Sequence, residues 1–143
     1  PEEFFMGADR AILMFDTTSS LSFGNIPFWG KKIMEANKNI PIAWVGNKVD
    51  LVNGRKVKPK TIMAYRKRYL TYFDVSAGGN YNVEQPVVHL IRKLTNSEEV
   101  TLIENPVVRP PERTIDLEQV KLIEEELRQA EKLPLPDDYD EDY

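Results

Sequence analysis

The sequence predicts an α/β fold with three parallel strands and flanking helices, then a linker, a C-terminal helix and an acidic tail. Three observations predict it. The short apolar runs Arg10–Asp16, Ile40–Gly46 and Leu70–Val75 have the length and composition of strands buried in a parallel sheet. Each is followed by a helical pattern, and three β–α units in series imply a parallel sheet with right-handed crossovers. Beyond Leu94 the periodicity stops at a Pro-rich stretch and restarts as one amphipathic helix. The chain therefore divides into a globular part (1–95), an extended linker (96–115), a helix (116–132) and an acidic tail (133–143).

Taken in order, the first strand is Arg10–Asp16, expected to be covered on both faces. Helix-start residues fill Ser19–Asn25, and one helix is expected from there to Asn37 with the stripe Ile26, Trp29, Ile33 and Ala36. Pro27 then belongs in its first turn, where a missing N–H costs little. The second strand is Ile40–Gly46, in which Trp44 is large for a strand covered on both faces. Val52-Asn53-Gly54 is a turn signal, and Lys60–Tyr69 is a short basic helix. The third strand is Leu70–Val75. Asn82 is expected to cap a helix reaching Leu94, with Gln85 as its reciprocal partner. His89 lies inside that helical pattern and is expected to be structural.

From Thr95 to Arg113, Asn105-Pro106 and Arg109-Pro110-Pro111 favour extended backbone, because a residue before Pro avoids the α region. Asp116 is expected to cap the last helix. Its apolar stripe is Leu117, Val120, Ile123, Leu127 and Ala130, with Glu118, Lys121, Glu125 and Arg128 opposite. A helix of this length is marginal alone in water, so the stripe needs a partner.

Chemistry concentrates where the second strand ends, at Asn47-Lys48-Val49-Asp50. Ligands of open α/β sheets bind outside such carboxyl ends. Guanine presents two adjacent donors, N1–H and N2–H₂, and an ionised Asp50 has two oxygens to take both. Adenine offers no such pair. The Asn47 amide can reach the N7/O6 edge, and the Lys48 stem can cover the ring. A polar turn after a strand is the plain alternative for this tetrapeptide. A second loop, Ser76-Ala77-Gly78, follows the third strand.

Both loops resemble those of guanine-nucleotide-binding domains, where the base lies between an NKxD loop and a Ser-Ala-Lys loop whose backbone N–H meets guanine O6. Gly78 stands where Lys is usual. The stretches Ala11-Ile12-Leu13-Met14-Phe15-Asp16-Thr17-Thr18-Ser19, Arg55-Lys56-Val57-Lys58, Tyr65-Arg66-Lys67-Arg68 and Asn80-Tyr81-Asn82-Val83-Glu84-Gln85-Pro86 extend the likeness. The chain resembles the Ran family of small GTPases, from about Phe4 to Leu94 and again in its acidic tail. The resemblance implies the C-terminal half of a small-GTPase (P-loop) domain, carrying the last three of six strands. It implies GTP/GDP as ligand, with Asn47, Lys48, Asp50, Ser76, Ala77 and Gly78 about the guanine. Mg²⁺ is expected in a complete protein, with no metal ligands and no catalytic residues in this chain. The sequence contains no G-x-x-x-x-G-K-[ST] loop to cradle phosphates, so it is expected to be inactive alone as a GTPase. The implied partners are importin-β-type transport receptors, Ran-binding domains and a chromatin-bound exchange factor, and the implied location is nucleus and cytoplasm. The alternative is a non-catalytic interaction module acting through its basic patch and acidic tail.

Composition bounds these readings. No stretch approaches the ~18 apolar residues of a membrane span. The absence of cysteine excludes disulfides and thiolate metal sites, and a lone histidine argues against a His-based zinc site or triad. The net charge of −4 conceals an asymmetry: residues 1–95 hold 14 basic against 8 acidic side chains, and residues 96–143 hold 5 against 15. Seven basic residues and no acid lie between Leu51 and Phe73, among them the patch Arg66, Lys67 and Arg68. The acidic half would repel phosphate, which argues against direct nucleic-acid binding. The two blocks are expected to attract one another, drawing the last helix and the tail toward the patch.

Overall fold

The computed structural model describes residues 2–66, 70–103 and 111–134. Three parallel strands, β1 (Ala11–Asp16), β2 (Ile42–Asn47) and β3 (Leu70–Asp74), form a sheet in the order β1-β2-β3. The register aligns Leu13 with Trp44 and Tyr72, and Phe15 with Gly46 and Asp74. Because side chains alternate along a strand, these residues share one face. Helices α1 (Ser20–Gly24), α2 (Ile26–Ala36) and α3 (Pro59–Ala64) supply residues to the core on that face, and α4 (Gln85–Thr95) packs against β2 from the other. The predicted α/β class with three parallel strands and flanking helices is what the chain adopts.

Trp44 finds its room in this register. It is buried against Phe15, Phe23 and Tyr72, with ring centroids 5.7–6.1 Å away. A Cβ on Gly46 would lie 2.1 Å from the Tyr72 hydroxyl and 3.1 Å from the Phe15 ring. The missing side chain at Gly46 is thus the space the aromatic cluster uses. The Trp44 Nε1–H has no hydrogen-bond partner among the described residues.

Several boundaries and faces differ from expectation. β1 is not covered on both faces: Leu13 and Phe15 are buried, whereas Ile12 and Met14 are 43 % and 55 % exposed. β1 is the edge strand, and α4 packs on β2 rather than reaching across it. The single helix expected from Ser19 is two, broken at Asn25. A continuous helix would drive the Pro27 ring into the carbonyl of Phe23, so the chain restarts with Pro27 in the first turn of α2. The restart shifts the buried stripe to Ile26, Gly30 and Ile33, leaving Trp29 exposed beside Phe28. α3 is shorter than the expected Lys60–Tyr69, and residues 67–69 lie outside the described ones.

Asn82 is not the cap of α4. It adopts a left-handed φ of 58°, and its Nδ2 donates to the Asp74 carbonyl at 2.9 Å. Glu84 precedes the helix without a side-chain cap bond. Asn82 therefore ties the loop back to the end of β3, three residues before the helix begins. His89 is half-buried against the Phe73 ring, as a structural residue should be.

The last helix forms as α5 (Leu117–Glu131), and Asp116 caps it by accepting from the Gln119 N–H at 3.3 Å. Its buried stripe is Val120, Leu127 and Ala130, and the helix packs on α3, where Leu127 and Ala130 join the core cluster with Ile62 and Met63. Leu117, expected in the stripe, is 50 % exposed because the docked face begins one turn later. The linker prolines Pro106 and Pro110 lie outside the described residues, as does the tail from Leu135.

Candidate functional site

The β2 carboxyl end delivers Asn47, and the next residues turn sharply. Lys48 takes a φ of 65°, and the Val49 N–H donates to the Val75 carbonyl at 3.2 Å. Val49 is fully buried and anchors the turn. Thr17 grips it from the β1 side, its N–H and hydroxyl both donating to the Asn47 carbonyl, at 3.0 and 2.8 Å. Backbone bonds and the core therefore fix the loop's conformation.

The second loop meets the first through two side chains. Asn47 Oδ1 accepts from the Ala77 N–H at 3.0 Å and from the Lys48 N–H at 2.8 Å. Ser76 Oγ donates to Asp50 Oδ1 at 2.7 Å while accepting from the Gly79 N–H at 2.9 Å. Sequence reasoning gave the Asn47 amide to the N7/O6 edge, and the resemblance put a backbone N–H of the second loop on guanine O6. Here the Asn47 oxygen takes the Ala77 N–H, which leaves the Asn47 amide nitrogen for a base edge. The Asp50 side chain is 2 % exposed. A carboxylate so enclosed needs donors, and Ser76 supplies one.

Lys48 is held at its charged end. Its Nζ pairs with Asp16 Oδ2 at 2.9 Å, linking the carboxyl ends of β1 and β2. Burial pushes the Asp16 carboxyl up, but hydrogen bonds from Thr18 and Lys48 outweigh it and hold it below its ordinary value.

The remaining donors to Asp50 come from an unexpected place. Arg113, in the linker, puts Nε 2.7 Å from Asp50 Oδ2 and Nη2 3.4 Å from Oδ1. Nε is within ion-pair distance but off the hydrogen-bond direction, so it makes no aligned bond. The Arg113 N–H also donates to the Gly78 carbonyl at 3.0 Å. A Cβ on Gly78 would lie 2.5 Å from Arg113 Nη2, and one on Gly79 would lie 2.5 Å from Ile115 Cδ1. The two glycines are where the linker crosses the loop.

Of the patch Arg66, Lys67 and Arg68, only Arg66 is described. It donates to the carbonyls of Met63, Ala130 and Leu133, the last two at the carboxyl end of α5. It thus holds the helix by carbonyls at its C-terminal end. Arg55, counted in the basic run, is not on the surface. It forms a buried two-bond pair with Asp74 at 2.7 and 3.2 Å, and its Nε donates to the Val57 carbonyl at 2.9 Å.

Chemically, the arrangement presents one enclosed carboxylate, one amide nitrogen and a covering linker at the carboxyl ends of β2 and β3. No described residues cluster as a metal site. Sequence reasoning brought Asn47, Asp50, Ser76, Ala77 and Gly78 to one place, and the structure assembles them there. It missed Arg113. The one signal was Gly78 itself, a position emptied of the usual long side chain. A model of the Ras family matches residues 1–96.

Proposed function

This chain belongs to the Ras family, and from that premise we propose that it is the base-recognition part of a GTP-binding switch of the Ran type, serving transport between nucleus and cytoplasm. The observation that carries guanine recognition is the meeting of Asn47, Asp50, Ser76 and Ala77 across two loops. Asp50 would take guanine N1–H and N2–H₂, and Ser76 fixes the carboxylate's orientation. Asn47 Nδ2 would serve the N7/O6 edge. Phosphoryl transfer needs a phosphate loop and Mg²⁺ for positioning and charge neutralisation. This sequence contains no such loop, so hydrolysis is proposed for a complete protein that has one.

The Ran assignment rests on the Asn80–Pro86 stretch, the acidic tail and a C-terminal helix that packs on α3 beside Arg66. Importin-β-type receptors, Ran-binding domains and a chromatin-bound exchange factor are the partners proposed with it. Deleting 133–143 should raise receptor affinity at low salt and less at high salt, because exposed ion pairs are screened. Receptor binding indifferent to the deletion at both salts would remove the tail from regulation.

The decisive test of the base site is Asp50→Asn. A carboxylate lost from paired donors costs on the order of 1.5–3 kcal/mol per charge-assisted bond. Affinity for guanine nucleotide should fall and that for xanthine nucleotide should rise, since the extra carbonyl suits an amide donor. Unchanged preference in competition would take Asp50 out of the site.

A further inference from the structure

We infer that Arg113 is a built-in competitor for the guanine-recognition carboxylate, delivered to Asp50 by the docked C-terminal helix. The inference rests on the guanine reading above and adds a regulator to it. Asp50 has two oxygens, and Arg113 lies against both. A guanidinium offers donors in a planar fork, as the guanine N1–H/N2–H₂ edge does. Both cannot engage one carboxylate, so base and linker exclude each other.

The contact is built into the chain path. Arg113 also bonds the Gly78 carbonyl, and Ile115 lies on Gly79. Asp116 then starts α5, and the Tyr81 hydroxyl bonds Glu124 on its side. Leu127 and Ala130 are buried in the core cluster with Ile62 and Met63 of α3, and Arg66 closes the end. From Asp50 to Arg66 the strap is continuous. Its first contact is also imperfect, with Nε misaligned and Nη2 at 3.4 Å. A base whose two donors meet the carboxylate squarely can displace it.

Linkage makes the coupling reciprocal. A ligand that loosens α5 raises guanine affinity, and guanine loosens α5 by the same factor. The size follows from the competent fraction: if the strap leaves about one molecule in ten open, removing it raises apparent affinity about tenfold.

The test uses the 143-residue chain, titrated with guanosine and with adenosine by NMR, as wild type, Arg113→Gln and Gly78→Ala. Gly78→Ala displaces the Arg113 tip without changing a charge. Both variants should bind guanosine several-fold more tightly and adenosine no better, and the gain should vanish in Asp50→Ala. Amide exchange at Arg113 gives a readout without ligand: Asp50→Ala should speed it, as should guanosine in the wild type. Guanosine preferred equally by all three proteins, or Arg113 exchange indifferent to Asp50→Ala, would overturn the competitor and leave the guanine site standing. No preference for guanosine in any variant would overturn the guanine reading itself, and the competitor with it.

Discussion

Arg55, Asp74 and Tyr72 form a polar knot inside the apolar face of the sheet. Arg55 and Asp74 are almost completely enclosed, and the Tyr72 hydroxyl donates to the same carboxylate. Burial pushes the Tyr72 hydroxyl far above its ordinary range, and the Asp74 charge adds to this while Arg55 opposes it. Tyr72 thus stays protonated as a donor. Breaking a buried pair leaves an uncompensated charge, at a cost of roughly 3–5 kcal/mol. Arg55→Ala should lose about that much in urea unfolding, whereas Tyr72→Phe should lose only about 1 kcal/mol. Equal losses would mean that the hydroxyl, not the ion pair, carries the network. His89 supplies a pH dependence at the same scale. Desolvation lowers its pKa from 6.5, and Lys93 lowers it further. The unfolded chain therefore takes up the proton first as pH falls. The stability contributed by neutral His89 is present above about pH 6.5 and declines as pH drops toward the lower folded value. His89→Gln should flatten the stability profile in that window, and an unaltered slope would assign it to another group.

At the scale of elements, α5 is a helix that the rest of the chain must hold. Its mean composition is polar, and only Val120, Leu127 and Ala130 are buried. Leu127→Ala removes a large part of that contact and should cost roughly 2–3 kcal/mol, near the low end for buried leucine because α3 can close in. The loss should be local. Hydrogen exchange would show α5 amides losing protection while Val45 and its neighbours in β2 keep theirs. Leu122, 66 % exposed, is the control, and its change to Ala should stay within about 0.5 kcal/mol. Protection lost evenly across α5 and β2 would mean that the helix is part of one cooperative core rather than a strap upon it.

At the scale of the molecule, the exposed side of β1 is the liability. Ile12 and Met14 are exposed on an edge strand, with Val87 and Leu94 of α4 also exposed. Unpaired strand groups beside apolar side chains template association. The chain should self-associate as concentration rises, and Met14→Lys should suppress it, because a charge on an edge strand blocks pairing. Sedimentation that reports a monomer throughout, unaffected by the substitution, would mean that this face is not the sticky one. Opposite charge in the two parts of the chain points the other way, inward. The contacts that hold α5 are of another kind: Leu127 and Ala130 sit in the core cluster, and Arg66 bonds carbonyls at the carboxyl end of α5.

Local rules were enough for much of this. Apolar run lengths located all three strands to within two residues, Asp116 announced the start of α5, and the spacing of Asn47, Asp50 and Ser76 named the loops that meet. These features depend on neighbours in sequence or on the period of a strand or helix, which a single chain displays. The basic run Arg55–Arg68 looked like one surface patch, but the structure buries Arg55 and spends Arg66 on a helix end. Asn82 looked like a cap and instead serves a strand. Trp44 looked too large until Gly46, Phe15 and Tyr72 were seen around it. Each of these turns on which residue from elsewhere arrives at 3 Å. So does Arg113, which no motif connects to Asp50 across 63 positions. The sequence by itself determined the strands, the loops and the chemistry they offer. The tertiary structure alone decided which donor Asp50 meets, because that depends on where a linker is carried by the packing of a distant helix.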